Sequence, residues 1–112
     1  MVLRDSALAG DRTHLEGVPM YAMVVTVDTD AARADEAIEL LRDFTIPMAK
    51  SQEGFVRGVW LRSSDKSKGR GVVLFDTEGH ASATAALALQ GPPPGAPVSV
   101  QSVEVFEVVG EA

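Results

Sequence analysis

Met20-Tyr21-Ala22-Met23-Val24-Val25-Thr26-Val27 is followed by the polar break Asp28-Thr29-Asp30 and then by a long stretch reaching Ser51. The first eight residues read as a β-strand that is apolar on both alternating faces. Met20, Ala22 and Val24 point one way, and Tyr21, Met23, Val25 and Val27 the other. A strand buried on both sides belongs in the middle of a sheet. The stretch after the break repeats Ala31, Ala34, Ile38, Leu41, Phe44 or Thr45, and Met48 at three-to-four spacing, which predicts one long amphipathic helix. Asp28, Thr29 or Asp30 supplies its N-cap. Pro47 removes one amide and clashes with the Asp43 carbonyl, so a bend is expected there.

The unit then returns. Val27-Asp28-Thr29-Asp30 is echoed by Phe75-Asp76-Thr77-Glu78, again leaving a strand and entering a helix. Between them, Gly54 permits a turn into a second strand, Phe55 to Arg62. A polar hairpin follows at Ser63 to Gly69, and then a third strand, Arg70 to Phe75, apolar on both faces. Thr77 is a suitable N-cap for an alanine-rich second helix that ends by Gln90-Gly91. Pro92-Pro93-Pro94-Gly95-Ala96-Pro97 reads as a stiff extended connector. The fourth strand, Val98 to Val109, is long enough to invite a bulge or bend.

The order β-α-β-β-α-β, with the two doubly apolar strands in the centre, predicts an α+β fold: a ferredoxin-like four-stranded antiparallel sheet covered by helices on one face. Residues 20–109 form this single domain. Residues 1–19, without sustained periodicity, are an arm that is either disordered or packed on a partner, and residues 110–112 are a tail. Two helices cover one sheet face only, yet the central strands are apolar on both. The second face therefore needs a cover, and a symmetric homodimer with sheets packed face to face is the expectation.

With 112 residues the chain has room for one domain, and roughly two thirds of its unfolded surface is buried on folding. It contains no cysteine, which removes disulfides, thiolate metal sites and cysteine nucleophiles and fits a reducing, cytoplasmic setting. A formal charge of −6 argues against nucleic-acid binding. No apolar run approaches the ~20 residues of a membrane span, and the charged first residues do not read as a signal peptide.

The runs Glu53-Gly54-Phe55, Leu61-Arg62-Ser63-Ser64-Asp65 and Val72-Val73-Leu74-Phe75-Asp76-Thr77-Glu78 resemble the antibiotic biosynthesis monooxygenase-like group of the dimeric α/β-barrel superfamily. The resemblance spans about Met20 to Val109 and rests on element order, Pro47, the Gly54-Phe55 turn and the polar hairpin. It implies a dimer whose two sheets form a barrel, with a ligand cavity in each subunit between sheet and helices. Members include cofactor-free oxygenases of polycyclic aromatic substrates and haem-degrading enzymes. The haem degraders use an Asn on the first strand, a Trp ending the third and a His on the second helix. This sequence has no Asn, and Phe75 and Ala85 stand where the Trp and His would be, so haem degradation is not expected.

Among chemistry-bearing residues, His80 falls in the first turn of the second helix, where the helix N-terminus is expected to lower its pKa and favour a neutral base. A solvent-facing helix residue is the plainer reading. Arg57, among Phe55, Val59 and Leu61, is a candidate oxyanion binder. It could equally pair with Glu104 or Glu107 across a dimer, or snorkel to water. Trp60 shares a face with Gly58, whose missing side chain leaves room for a ligand or a bulge. Trp60 and Phe75 are candidate pocket walls, with Tyr21, Met23 and Met48 as adaptable lining, although such residues more often simply fill core. No second His or Cys lies at metal-ligand spacing, and no cofactor motif is present.

Two readings emerge. One is a cofactor-independent monooxygenase-like enzyme acting on a small aromatic or polyketide-like substrate, with His80 and Arg57 as its polar groups. The other is a non-catalytic homodimer that binds a small apolar ligand or serves as an accessory protein. A pocket uniting His80 and Arg57 favours the first, and an interior closed by methionine and alanine favours the second.

Overall fold

The computed structural model describes residues 20–112, so the expected arm at 1–19 lies outside the described residues. Strand β1 (Tyr21–Thr29) leads to a helical stretch made of a 3-10 turn (Ala31–Arg33), α1 (Ala34–Leu40), a π turn (Leu41–Thr45) and α2 (Ile46–Lys50). Strands β2 (Phe55–Arg62) and β3 (Lys68–Phe75), helix α3 (Glu78–Ala88) and strand β4 (Val98–Glu107) complete the order. The sheet is antiparallel in the order β2-β3-β1-β4. The two doubly apolar strands are thus central, and the fold is the ferredoxin-like α+β arrangement expected from the sequence.

Local chemistry sets the element ends. Asp30 caps the first helical stretch, accepting from the Ala32 amide at 3.0 Å. Thr77 caps α3 through its hydroxyl, which accepts from the His80 amide at 3.1 Å. The bend expected at Pro47 takes the form of the π turn just before it. There the Ile46 amide donates to the Leu41 carbonyl, five residues back. An extra residue in the turn accommodates a proline that cannot join an ordinary helical ladder.

Cross-strand register assigns each residue to a face. On the helix side the rows are Phe55–Phe75–Tyr21–Glu107, Gly58–Val73–Met23–Val105 and Trp60–Gly71–Val25–Val103. Phe75 and Ala81 are fully sealed and form one cluster with Met23, Val73 and Ala85. Alanines at 81 and 85 let α3 sit close to the strands, and α3 rests on β1, β3 and β4. Phe55 meets Phe75 edge-on at a centroid distance of 6.5 Å.

The opposite sheet face carries the rows Arg57–Leu74–Ala22–Phe106, Val59–Val72–Val24–Glu104 and Leu61–Arg70–Thr26–Ser102. No helix covers it among the described residues, and Val59, Leu61 and Phe106 are each about half exposed.

The expected irregularity in β4 is a one-residue bulge. Thr26 faces Ser102, whereas Val27 faces Val100, which leaves Gln101 as the extra residue. The bulge switches the side-chain phase. Val98 and Val100 before it and Val103 and Val105 after it all reach the helix side, although simple alternation would have split them between faces.

Candidate functional site

The candidate chemistry gathers at the start of α3. The His80 ring is held by two carboxylates. Its Nδ1 lies 2.6 Å from Asp76 Oδ1 at the end of β3, and its Nε2 lies 3.5 Å from Glu53, which precedes β2. Gly54 sits directly beneath. Its φ of +82° requires glycine, and a Cβ there would fall 2.3 Å from both Asp76 Oδ1 and His80 Nδ1. The Asp76 amide donates to the Gly54 carbonyl at 3.0 Å, tying the turn to the end of β3.

This geometry reverses the expected protonation. The hydrogen bond to Asp76 is the largest influence and raises the His80 pKa above its ordinary 6.5; partial desolvation opposes it, and the nearby Asp76 and Glu53 charges add to the rise. Two carboxylates outweigh the helix N-terminus. The result is an Asp–His pair whose ring holds its proton more tightly than an ordinary imidazole. Sequence reasoning missed Asp76 as the partner. Its spacing from His80 is four residues, but Asp76 precedes the helix, so no helical periodicity pointed to it.

Arg57 lies elsewhere. Its register with Leu74 and Ala22 puts it on the open sheet face, opposite the side that carries His80's helix. Its guanidinium donates to Glu111 at 3.2 Å, so the chain's own tail, and neither Glu104 nor Glu107, is its partner here. The tail beyond β4 thereby flanks a cleft of about 250 Å³ bordered by Arg57, Val59, Val72, Leu74 and Val108. His80 and Arg57 are not brought together.

The candidate pocket residues are also placed differently from one another. Phe75 and Met23 are inside the core, while Tyr21 and Trp60 pack against it partly buried. The space left by Gly58 is occupied by Trp60 itself. A Cβ on Gly58 would lie 2.8 Å from the indole ring, and one on Gly71 would lie 2.9 Å from its Nε1. The two glycines are therefore a seat for the indole. Met48, on α2, is 38% exposed. A second, shallower groove of about 390 Å³ lies between Phe44 and Pro93–Pro97 with Glu36, Glu39 and Asp43 at its edge. Among the described residues, no cluster of His, Cys, Asp and Glu could hold a metal ion. No described helix is long and apolar enough to cross a membrane.

Phe75, where the resemblance would put the haem degraders' Trp, is sealed in the core, and Ala85, where it would put their His, is buried.

No protein-family profile and no curated protein matches the chain. Solved structures do. A haem degrader of Mycobacterium tuberculosis, solved with two haems in its active site, superposes with a TM-score of 0.63 at 16% identity, over 82% of this chain and 98% of that one. A dimeric ferredoxin-like protein from an uncultured marine organism gives 0.57 at 14% identity, over 84% of this chain and 99% of that one. A Streptomyces coelicolor monooxygenase from the gene ActVA-Orf6, solved with Nanaomycin D, gives 0.54 at 14% identity, over 82% of this chain and 89% of that one. The chain therefore has the fold of the monooxygenase-like, ferredoxin-like group, as the sequence runs suggested.

Proposed function

We propose that the protein is a homodimeric, monooxygenase-like protein of the cytoplasm that binds a small apolar or aromatic molecule between its sheet and its first helical stretch. The observation that carries this reading is an unevenly sealed helix side. Helix α3 closes over Met23, Val73 and Phe75, whereas Tyr21, Val25, Trp60 and Val103 remain half-buried. The first helical stretch reaches the sheet chiefly through α2 against β2, and its large apolar residues Phe44 and Met48 are 49% and 38% exposed. Half-sealed aromatic and aliphatic surface with few polar groups suits an apolar ligand. The separation of Arg57 from His80 favours binding over a two-residue catalytic site.

One observation favours catalysis as a second reading. The Asp76–His80 pair could take a proton from a phenolic or activated methylene substrate once the ring is neutral. The balanced reaction converts a CH2 flanked by aromatic rings, with O2, into a ketone and water. The substrate supplies all four electrons, so no cofactor enters.

Trp60 is the chain's single tryptophan, which gives a clean readout. Titration with Nanaomycin D and with a dihydroxyanthrone should give a saturable change in its fluorescence with one site per chain. No saturable change with either would overturn the binding reading. Oxygen uptake with the anthrone then tests chemistry. Loss of about 100-fold or more in His80→Gln supports a catalytic base, and equal uptake by both proteins leaves a binding protein.

A further inference from the structure

We propose that Arg70 and Glu104 form reciprocal ion pairs between two copies of this chain and so fix the register in which the open sheet faces pack. The inference rests on the homodimer reading above and adds to it the residues that orient the partner.

The open face carries few charges, and most are satisfied within the chain. Arg57 pairs with Glu111 at one end, and Lys68 pairs with Asp28 at 2.9 Å at the other. Arg70 and Glu104 remain. Both are exposed, and among the described residues neither has an ion-pair partner. They flank the middle of the face at Val24, Val72 and Thr26, while Val59 and Leu61 continue the apolar surface on the neighbouring edge strand β2. Packing a second copy there would desolvate both charges. A buried unpaired charge costs more than the apolar contact returns, so each must meet an opposite charge.

Register decides whether that is possible. Glu104 lies in the row Val59–Val72–Val24–Glu104, and Arg70 in the next row, Leu61–Arg70–Thr26–Ser102. They are two strands and one row apart, about 12 Å between Cα atoms from ordinary sheet spacings, which is well beyond a direct pair within one chain. Midway between them on β1 is the gap between Val24 and Thr26, near the centre of the uncovered face. A two-fold axis lying in the interface over that point, perpendicular to the Arg70–Glu104 line, sets each Arg70 against the partner's Glu104 and forms both pairs at once. The strands of the two sheets would then cross at about 70°, close to the orthogonal class of sheet packing.

Sedimentation equilibrium of the full chain tests this. Arg70→Glu and Glu104→Arg should each weaken dimerisation about 10- to 100-fold, since each places two like-charged pairs in the interface. The double reversal R70E/E104R should restore most of the wild-type affinity. Arg42→Glu, on the exposed surface of the π turn, should change nothing. Three results would overturn the proposal. If the wild type dimerises and the single reversals leave it unchanged, the pair is wrong and the homodimer stands. Purely additive losses in the double variant carry the same meaning. A wild-type chain that stays monomeric removes the homodimer reading as well. Circular dichroism of each variant separates these outcomes from misfolding.

Discussion

At the scale of single residues, the His80 cluster makes stability depend on pH. Its ring is held by Asp76 at 2.6 Å over a glycine that admits no side chain. Because the folded-state pKa lies above the ordinary 6.5, the charged pair stabilises the fold fully below pH 6.5. That contribution fades as pH rises through the raised value. The stability gap between Asp76→Asn and wild type should therefore narrow as pH rises above 6.5, and the gap for His80→Gln should narrow in the same way. Urea midpoints at several pH values check this, and a gap that widens with pH would contradict it. Gly54→Ala should both strain the turn and pry the pair apart, costing about 1–3 kcal/mol and lowering the His80 pKa, read by proton NMR. The sequence exposed His80 as a candidate and Gly54 as a turn. It hid their union, because the Glu53-Gly54 turn before β2 and Asp76 after β3 meet only once the sheet forms. Arg57 failed as a partner for a related reason: alternation along β2 is interrupted where Phe55 and Arg57 shift register, and only the paired strand shows which face each residue takes.

At the scale of elements, strand order and helix placement were legible because the apolar periods are strong and the caps have unambiguous chemistry. Asp30 and Thr77 do what their side-chain oxygens allow. Two irregularities were foreseen in part, the first in place but not in form, the second in form but not in place. A bend was expected at Pro47, and the helix instead widens into a π turn at Leu41–Thr45. In β4, alternation alone puts Val98 and Val100 on one face and Val103 and Val105 on the other. The bulge at Gln101 unites them. Gln101 is the extra residue, so deleting it should leave a regular strand in which Val100 and Ser102 alternate simply and Val100 stays with Val98 on the helix side. The cost should be small, below about 1 kcal/mol. Denaturant unfolding measures the change. A loss of about 2–4 kcal/mol would mean instead that the two half-buried valines had turned to the open face.

At the scale of the molecule, the doubled apolarity of β1 and β3 is the most informative feature of the chain. One half of it is explained by α3 and the helical stretch before it. The other half faces outward as Val24, Val72, Val59, Leu61 and Phe106, with the chain's own tail crossing only the end near Arg57. That tail was read from sequence as an appendage. Its pairing with Arg57 joins residues 54 positions apart and has no local signature. A lone chain keeping this face wet would forgo the contribution of its two most apolar strands. Pairing of copies links stability to concentration, because unfolding then also dissociates. For a homodimer, each tenfold rise in protein concentration should raise the apparent unfolding free energy by about 1.4 kcal/mol and move the thermal midpoint upward. Leu61→Asp, which places a charge on the uncovered part of the face without touching the sealed core around Phe75, should abolish that dependence while leaving a folded chain with a lower, concentration-independent midpoint. A midpoint for the native sequence that stays fixed across a hundredfold dilution series would instead mean that the open face is covered by a different molecule, and the search for its occupant would move from a second copy to the ligand or partner that the fold serves.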